Sequence, residues 1–102
     1  MSDFIQRGEN GVFTCSHPEG VGSFVVRKPN FGLDIKVEQM AAVLSGATPT
    51  EQGDLYAEWF SVISCGMEST PKDFDLNKVV DVKGLVPALY AEVTEYWGTF
   101  RK

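Results

Sequence analysis

Cys15 and His17 stand two residues apart, and Cys65 lies far along the chain. A thiol beside an imidazole is the pairing used in nucleophilic catalysis, and two cysteines with a histidine offer three metal ligands. Structural zinc sites, however, usually draw on two closely spaced ligand pairs, and only one such pair is present here. A single histidine also leaves little material for acid–base chemistry. The simpler reading is a strand cysteine and a turn histidine, with both cysteines as reduced, buried thiols. Asp73, Asp75 and Asp81 are loop carboxylates, but a calcium loop needs more oxygen ligands and a glycine at a fixed place. Gly8, Gly11, Gly20 and Gly22 match no phosphate-binding pattern and instead bracket a hairpin. The expectation is a non-enzyme with no catalytic residue, no metal and no cofactor.

Aromatic residues are the chain's notable excess. Tyr56, Trp59 and Phe60 come first, then Tyr90, Tyr96, Trp97 and Phe100. Large aromatic surface near a chain end marks either a binding face or helix packing. Trp59, Leu89 and Val93 are assigned to packing of the last helix on the central one. Tyr96, Trp97 and Phe100 fall in terminal turns, which a small domain covers poorly. With Tyr56 and Phe60 they are the candidate partner-binding residues.

Tyr56, Trp59 and Phe60 hang on the stretch Asp54 to Met67, read as a central helix that runs to about Cys65. Leu55, Trp59 and Val62 form one apolar row, and Tyr56, Phe60, Ile63 and Met67 form a second. Glu58, Ser61 and Ser64 are the clearly polar positions, so such a helix must touch neighbours on two sides. Thr48, Pro49 and Glu51 supply a cap, a first-turn proline and a capping box ahead of it, and Gly66 ends it. Before it, Leu33, Val37, Met40, Ala41 and Leu44 lie on one face of an earlier helix that Gly46 stops. After it, Thr70-Pro71 begins one or two short helical turns. The last helix starts near Gly84, because Pro87 lacks an N–H and fits only the first turn. Leu85, Leu89, Val93, Tyr96, Trp97 and Phe100 give that helix a wide apolar stripe.

The N-terminal third reads differently. Residues 1–10 are polar apart from Phe4 and Ile5, and a loose start is expected. Val12 to Cys15 and Ser23 to Arg27 read as strands. His17-Pro18-Glu19-Gly20 between them suits a type I turn. Pro29 closes the hairpin, since proline cannot donate to a ladder. The fold class is therefore α+β and mostly helical: a β-hairpin over about 12–27, then three main helices and a short helical turn over about 33–101. The 102 residues suffice for one domain with one modest core.

The apolar and charged fractions, 43% and 23%, are those of a globular chain and argue against disorder. No apolar run reaches membrane-spanning length, and the N-terminal segment does not read as a signal peptide, so folding in the cytoplasm is expected. A net charge of −5 disfavours nucleic acid as a partner. That imbalance lies in residues 31–68, where Asp34, Glu38, Glu51, Asp54, Glu58 and Glu68 face one base, Lys36. Solvated helix surface explains such a run, and an acidic face for a basic partner is the alternative.

Several elements in succession resemble the tail assembly chaperones of long-tailed bacteriophages. A short strand ends in a basic pair and proline, Val25-Val26-Arg27-Lys28-Pro29. An amphipathic helix then ends in small residues and a glycine, Met40 to Gly46. An aromatic-rich middle helix, an acidic loop (Phe74-Asp75-Leu76) and a last helix closing on Tyr96-Trp97-Gly98-Thr99-Phe100-Arg101 follow. The likeness covers roughly residues 23–101 and consists of a pattern of elements, without a signature motif.

The resemblance implies a role in viral morphogenesis without catalysis. Such proteins bind the tape measure protein, an apolar helical rod, and keep it soluble until tail tube subunits assemble around it. It implies the tape measure protein as client, the tail tube protein as a further partner, self-association into a homo-oligomer, residence in the host cytoplasm and absence from the mature virion. The family is often made in two lengths by frameshifting, and this chain would be the short form. Exposed apolar grooves suit a holdase and also promote self-association. Two other classes remain open: a small virion component such as a head–tail connector or tail completion protein, and an enzyme using Cys15 and His17.

Overall fold

A computed structural model describes residues 4–47, 50–80 and 84–101. The fold is α+β, with a four-stranded antiparallel sheet and three helices. The strands are β1 (Ile5–Arg7), β2 (Val12–Cys15), β3 (Gly22–Val26) and β4 (Met67–Ser69), in the spatial order β1-β2-β3-β4. The helices are α1 (Phe31–Ala47), α2 (Glu51–Gly66) and α3 (Leu85–Gly98), with a 3₁₀ turn at Leu76–Lys78. Among the described residues no helix is long and apolar enough to cross a membrane.

The expected hairpin is β2 and β3, with Phe13 opposite Phe24 and Thr14 opposite Ser23. The turn between them carries the expected bond, Gly20 N–H to the His17 carbonyl at 2.9 Å. Two strands extend it beyond expectation. The supposedly loose start forms β1, which pairs with β2 through an Asn10-Gly11 turn. Both residues there have positive φ, 56° and 79°, and Val12 N–H donates to the Glu9 carbonyl. This is the type I′ geometry whose twist matches paired strands. Past α2 the chain does not run into an irregular loop at once. Met67–Ser69 adds β4 to the free edge of β3, where the register shifts between Val25 and Val26.

Alternation places Phe13, Cys15, Phe24, Val26 and Met67 on the inner face of the sheet. Phe13 and Phe24 stack with ring centroids 5.1 Å apart. Val62 and Ile63 of α2 and Leu85, Leu89 and Val93 of α3 complete one core with them. Leu89 and Val93 are thus core, as read. Trp59 is not: it is half-buried. Its row runs out of the core toward the start of α2, where Leu55 is exposed and only Val62 at the other end is covered. Conversely, Ser61 is fully buried rather than a polar surface position, and its Oγ has no hydrogen-bond partner among the described residues.

The helix boundaries show which local signals won. Thr50 caps α2, its Oγ1 accepting from Gly53 N–H at 2.9 Å. The expected caps Thr48 and Pro49 lie outside the described residues. Gly46 does not stop α1, which continues to Ala47. Gly84, at φ 73°, turns the chain into α3, with Pro87 in the first turn as expected. Asp75 caps the 3₁₀ turn by accepting from Asn77 N–H.

Candidate functional site

Cys15 and His17 form no nucleophilic pair. Both are buried, and the contact between them runs from the His17 backbone N–H to the Cys15 Sγ at 3.4 Å. The imidazole Nδ1 is occupied as an acceptor from Glu19 N–H at 3.1 Å, and the ring sits edge-on to Phe4. Burial pushes the Cys15 thiol up, with the His17 N–H working in the opposite direction. An activated cysteine needs the reverse, a thiolate stabilised by nearby positive charge. Cys65 is a separate, half-buried free thiol. Among the described residues no group of three or more His, Cys, Asp or Glu could hold a metal ion.

The aromatic residues divide into two groups. Tyr96, Trp97 and Phe100 sit at the end of α3, beside the β1–β2 turn and the exit of β3. The Tyr96 ring lies over Gly11, where a Cβ would come within 2.9 Å of it. Trp97 donates its Nε1–H to the Arg27 carbonyl at 2.8 Å and covers Gly66. Phe100 stands edge-on to Tyr96 and stays exposed. Beside them Arg7 binds Glu92 at 2.7 Å and Glu95 at 2.6 Å, clasping β1 to α3. Hydrogen bonds to the two carboxylates hold its guanidinium above the ordinary range. All three terminal aromatics therefore have contacts within the domain, and of the three only Phe100 stays exposed.

Tyr56 and Phe60 fall in a second place, an open groove of about 330 Å³. Its walls are Tyr56, Trp59 and Phe60 of α2, Leu76 and Val79 around the 3₁₀ turn, and Val86 of α3. The sequence pointed to Tyr56 and Phe60; Trp59, Leu76, Val79 and Val86 were not anticipated there. The spacing Tyr56–Trp59–Phe60, one helical face, held the signal for Trp59. Nothing local indicated that the loop after Pro71 would fold back to supply the other wall.

The groove is shaped by neighbouring polar contacts. Tyr90 O–H donates to Glu58 at 2.8 Å, and its ring stands 6.4 Å from that of Trp59, which in turn leans on Tyr56 at 5.7 Å. Gln52 donates to the Tyr56 hydroxyl, which orients the outermost ring. Burial, then the Glu58 contact, pushes the Tyr90 phenol up to about 12. Apart from the Tyr56 hydroxyl and the Trp59 indole N–H, the lining side chains carry no polar group. Such a lining suits apolar side chains. Compared with protein-family models, curated proteins and solved structures, the chain matches none.

Proposed function

We propose that this chain is a tail assembly chaperone of a long-tailed bacteriophage, holding an apolar helical client, the tape measure protein, until the tail tube forms around it. The observation that carries the reading is the open aromatic groove of Tyr56, Trp59 and Phe60, with Leu76, Val79 and Val86 opposite. An amphipathic client helix docks by placing side chains at i, i+3, i+4 and i+7 into such a groove. Aromatic walls supply contact area while losing little side-chain freedom. Acidic residues of α2 (Glu51, Asp54 and Glu58) are exposed on the same helix and suit a client whose apolar stripe is flanked by Lys or Arg. The reading places the protein in the host cytoplasm during assembly and outside the finished particle.

The test is co-expression with a tape measure protein, sought as a very long helical reading frame beside this gene. The client is expected to be soluble with the native chain and to precipitate with Trp59→Ser plus Phe60→Ser, while circular dichroism of the variant stays native. A client that is equally soluble without the chain would sink the reading. Recovery of the chain from purified virions in stoichiometric amounts would replace it with a virion structural role.

A further inference from the structure

One wall of the aromatic groove is a regular helix, α2. The other, which carries Leu76 and Val79, belongs to residues 71–80, a segment with little structure of its own. Phe74 N–H to the Pro71 carbonyl and Lys78 N–H to the Asp75 carbonyl close two short turns in it. Two such turns do not fix the distance between a segment and a helix across from it.

The turn between β2 and β3, with the first residue of β3, meets this segment at three points. Gly22, at φ 137°, lies against Pro71, where a Cβ would come within 2.9 Å of the proline ring. Gly20 lies against Phe74, where a Cβ would stand 3.2 Å from that ring, and Phe74 is edge-on to Phe24 at 5.1 Å. At the far end the Glu19 carboxylate accepts from Val80 N–H at 2.8 Å, across 61 residues of sequence. The first two contacts are apolar packing against glycines. The third is a hydrogen bond to a charged acceptor, which is a strong type. It falls where packing is weakest, since the Val80 side chain is 77% exposed and cannot anchor its own backbone. Glu19 is itself held. Its N–H donates to Nδ1 of the buried His17 at 3.1 Å, and Gly20 N–H donates to the His17 carbonyl at 2.9 Å.

We propose that Glu19 is a positioning residue for the groove: through Val80 N–H it holds the wall of Leu76 and Val79 at its distance from Tyr56, Trp59 and Phe60. Glu19 does not line the groove, so it acts through the segment alone. A wall fixed beforehand spares a ligand the cost of ordering it. A wall in place only part of the time lowers apparent affinity by that fraction. The effect on a client rests on the chaperone reading above, whereas the positioning does not.

Amide hydrogen exchange read by NMR on the full chain tests the positioning without any ligand. Glu19→Met, similar in length but without an acceptor, is expected to speed exchange at Val80 at least ~10-fold and to shift the Leu76 and Val79 methyl signals. The Leu89 and Val93 amides of α3 should keep their native protection. Glu19→Gln keeps an acceptor oxygen and is expected to recover most of the protection at Val80. Native exchange and native methyl signals in Glu19→Met would overturn the proposal, and so would a Glu19→Gln chain as mobile as Glu19→Met. The consequence is read by titrating an amphipathic helical peptide with Leu at every third or fourth position and Lys on its flanks. Glu19→Met is expected to bind it ~5-fold more weakly than the native chain, and Glu19→Gln about as well as native. If Trp59→Ala weakens binding of the peptide and Glu19→Met does not, the proposal fails. If neither weakens it, the groove is not the client's site, the chaperone reading loses its support, and amide exchange alone decides the role of Glu19.

Discussion

The Trp97 indole N–H donates to the Arg27 carbonyl at 2.8 Å, and Arg27 N–H in turn donates to the Gly66 carbonyl at 2.7 Å. The last turn of α3 is thereby joined to the exit of β3 and the end of α2. Trp97→Phe, which loses the hydrogen bond and keeps most of the ring, is expected to cost about 1 kcal/mol. Trp97→Ala should cost about 2–3 kcal/mol, less than a fully buried tryptophan. Thermal melts of the two variants check the order; a melting temperature for Trp97→Ala equal to native would mean that the ring contributes little to the fold.

The same junction fixes the response at Gly66. A Cβ there would stand 2.9 Å from Trp97 Cζ2 and 2.9 Å from Val93 Cγ1. Val93 is fully buried and cannot swing away, so Gly66→Ala is expected to destabilise by about 1–3 kcal/mol through overpacking. Helix propensity alone argues the other way, since alanine is favoured over glycine within a helix by about 1 kcal/mol. Chemical denaturation of the variant decides between the two signs.

These contacts mark what the sequence could and could not convey. Periodicity in 33–44 and 85–97 placed α1 and α3, and alternation in 12–15 and 23–27 placed β2 and β3, because each signal is local. β1 was also within reach. Asn10-Gly11 between Ile5–Arg7 and Val12–Cys15 is a strong short-range hairpin signal, but three residues of strand are too few to show alternation. β4 had no local signal. Met67 falls on the helical apolar row as well as on a strand, and the free edge of β3 decides the matter. The groove was half legible for the same reason: Tyr56 and Phe60 share a helix, whereas Leu76 and Val79 reach them through tertiary packing. Trp59 was misplaced because a helical row shows which residues share a face but not where along the helix cover ends.

Tyr90 gives a signature at high pH. Its phenol ionises near pH 10 in an unfolded chain and is pushed up to about 12 in the fold by burial and by Glu58. The neutral form is the one the fold favours. Its contribution to stability is therefore whole below about pH 10 and is lost as pH rises through about 12. Phenolate absorbance should show a step later than that of free tyrosine, absent in Tyr90→Phe. A native titration without that late step would show that Tyr90 is not buried against Glu58 in solution.

Cys15 should behave as an inert thiol. It is buried, and burial pushes the thiol up, which keeps it protonated at neutral pH. Alkylation of Cys15 in the native protein is expected to wait on unfolding, and a Cys15→Ala variant should lose stability, by about 1 kcal/mol, without loss of client binding. Cys15 modified at the rate of a free thiol in native protein would contradict this and reopen a chemical role for the Cys15–His17 pair.

Trp59 separates the groove from the core. It is half-buried, held between Tyr56 and Tyr90, whereas Leu89 on the facing helix is fully buried. Leu89→Ala leaves a cavity in the core and is expected to cost about 2–5 kcal/mol. Trp59→Ala opens onto solvent, so water fills the space and the cost should be about 1–2 kcal/mol. Binding is expected to reverse the order. An aromatic anchor at the centre of a docking surface typically contributes about 2 kcal/mol or more, so Trp59→Ala should lower affinity for an apolar helical client at least ~20-fold, while Leu89→Ala, measured well below its melting temperature, leaves affinity near native. Parallel denaturation and client titration of the two variants make the comparison. If Trp59→Ala proves as destabilising as Leu89→Ala, the ring belongs to the core; if it is mildly destabilising and binds client normally, the groove is not the client's site.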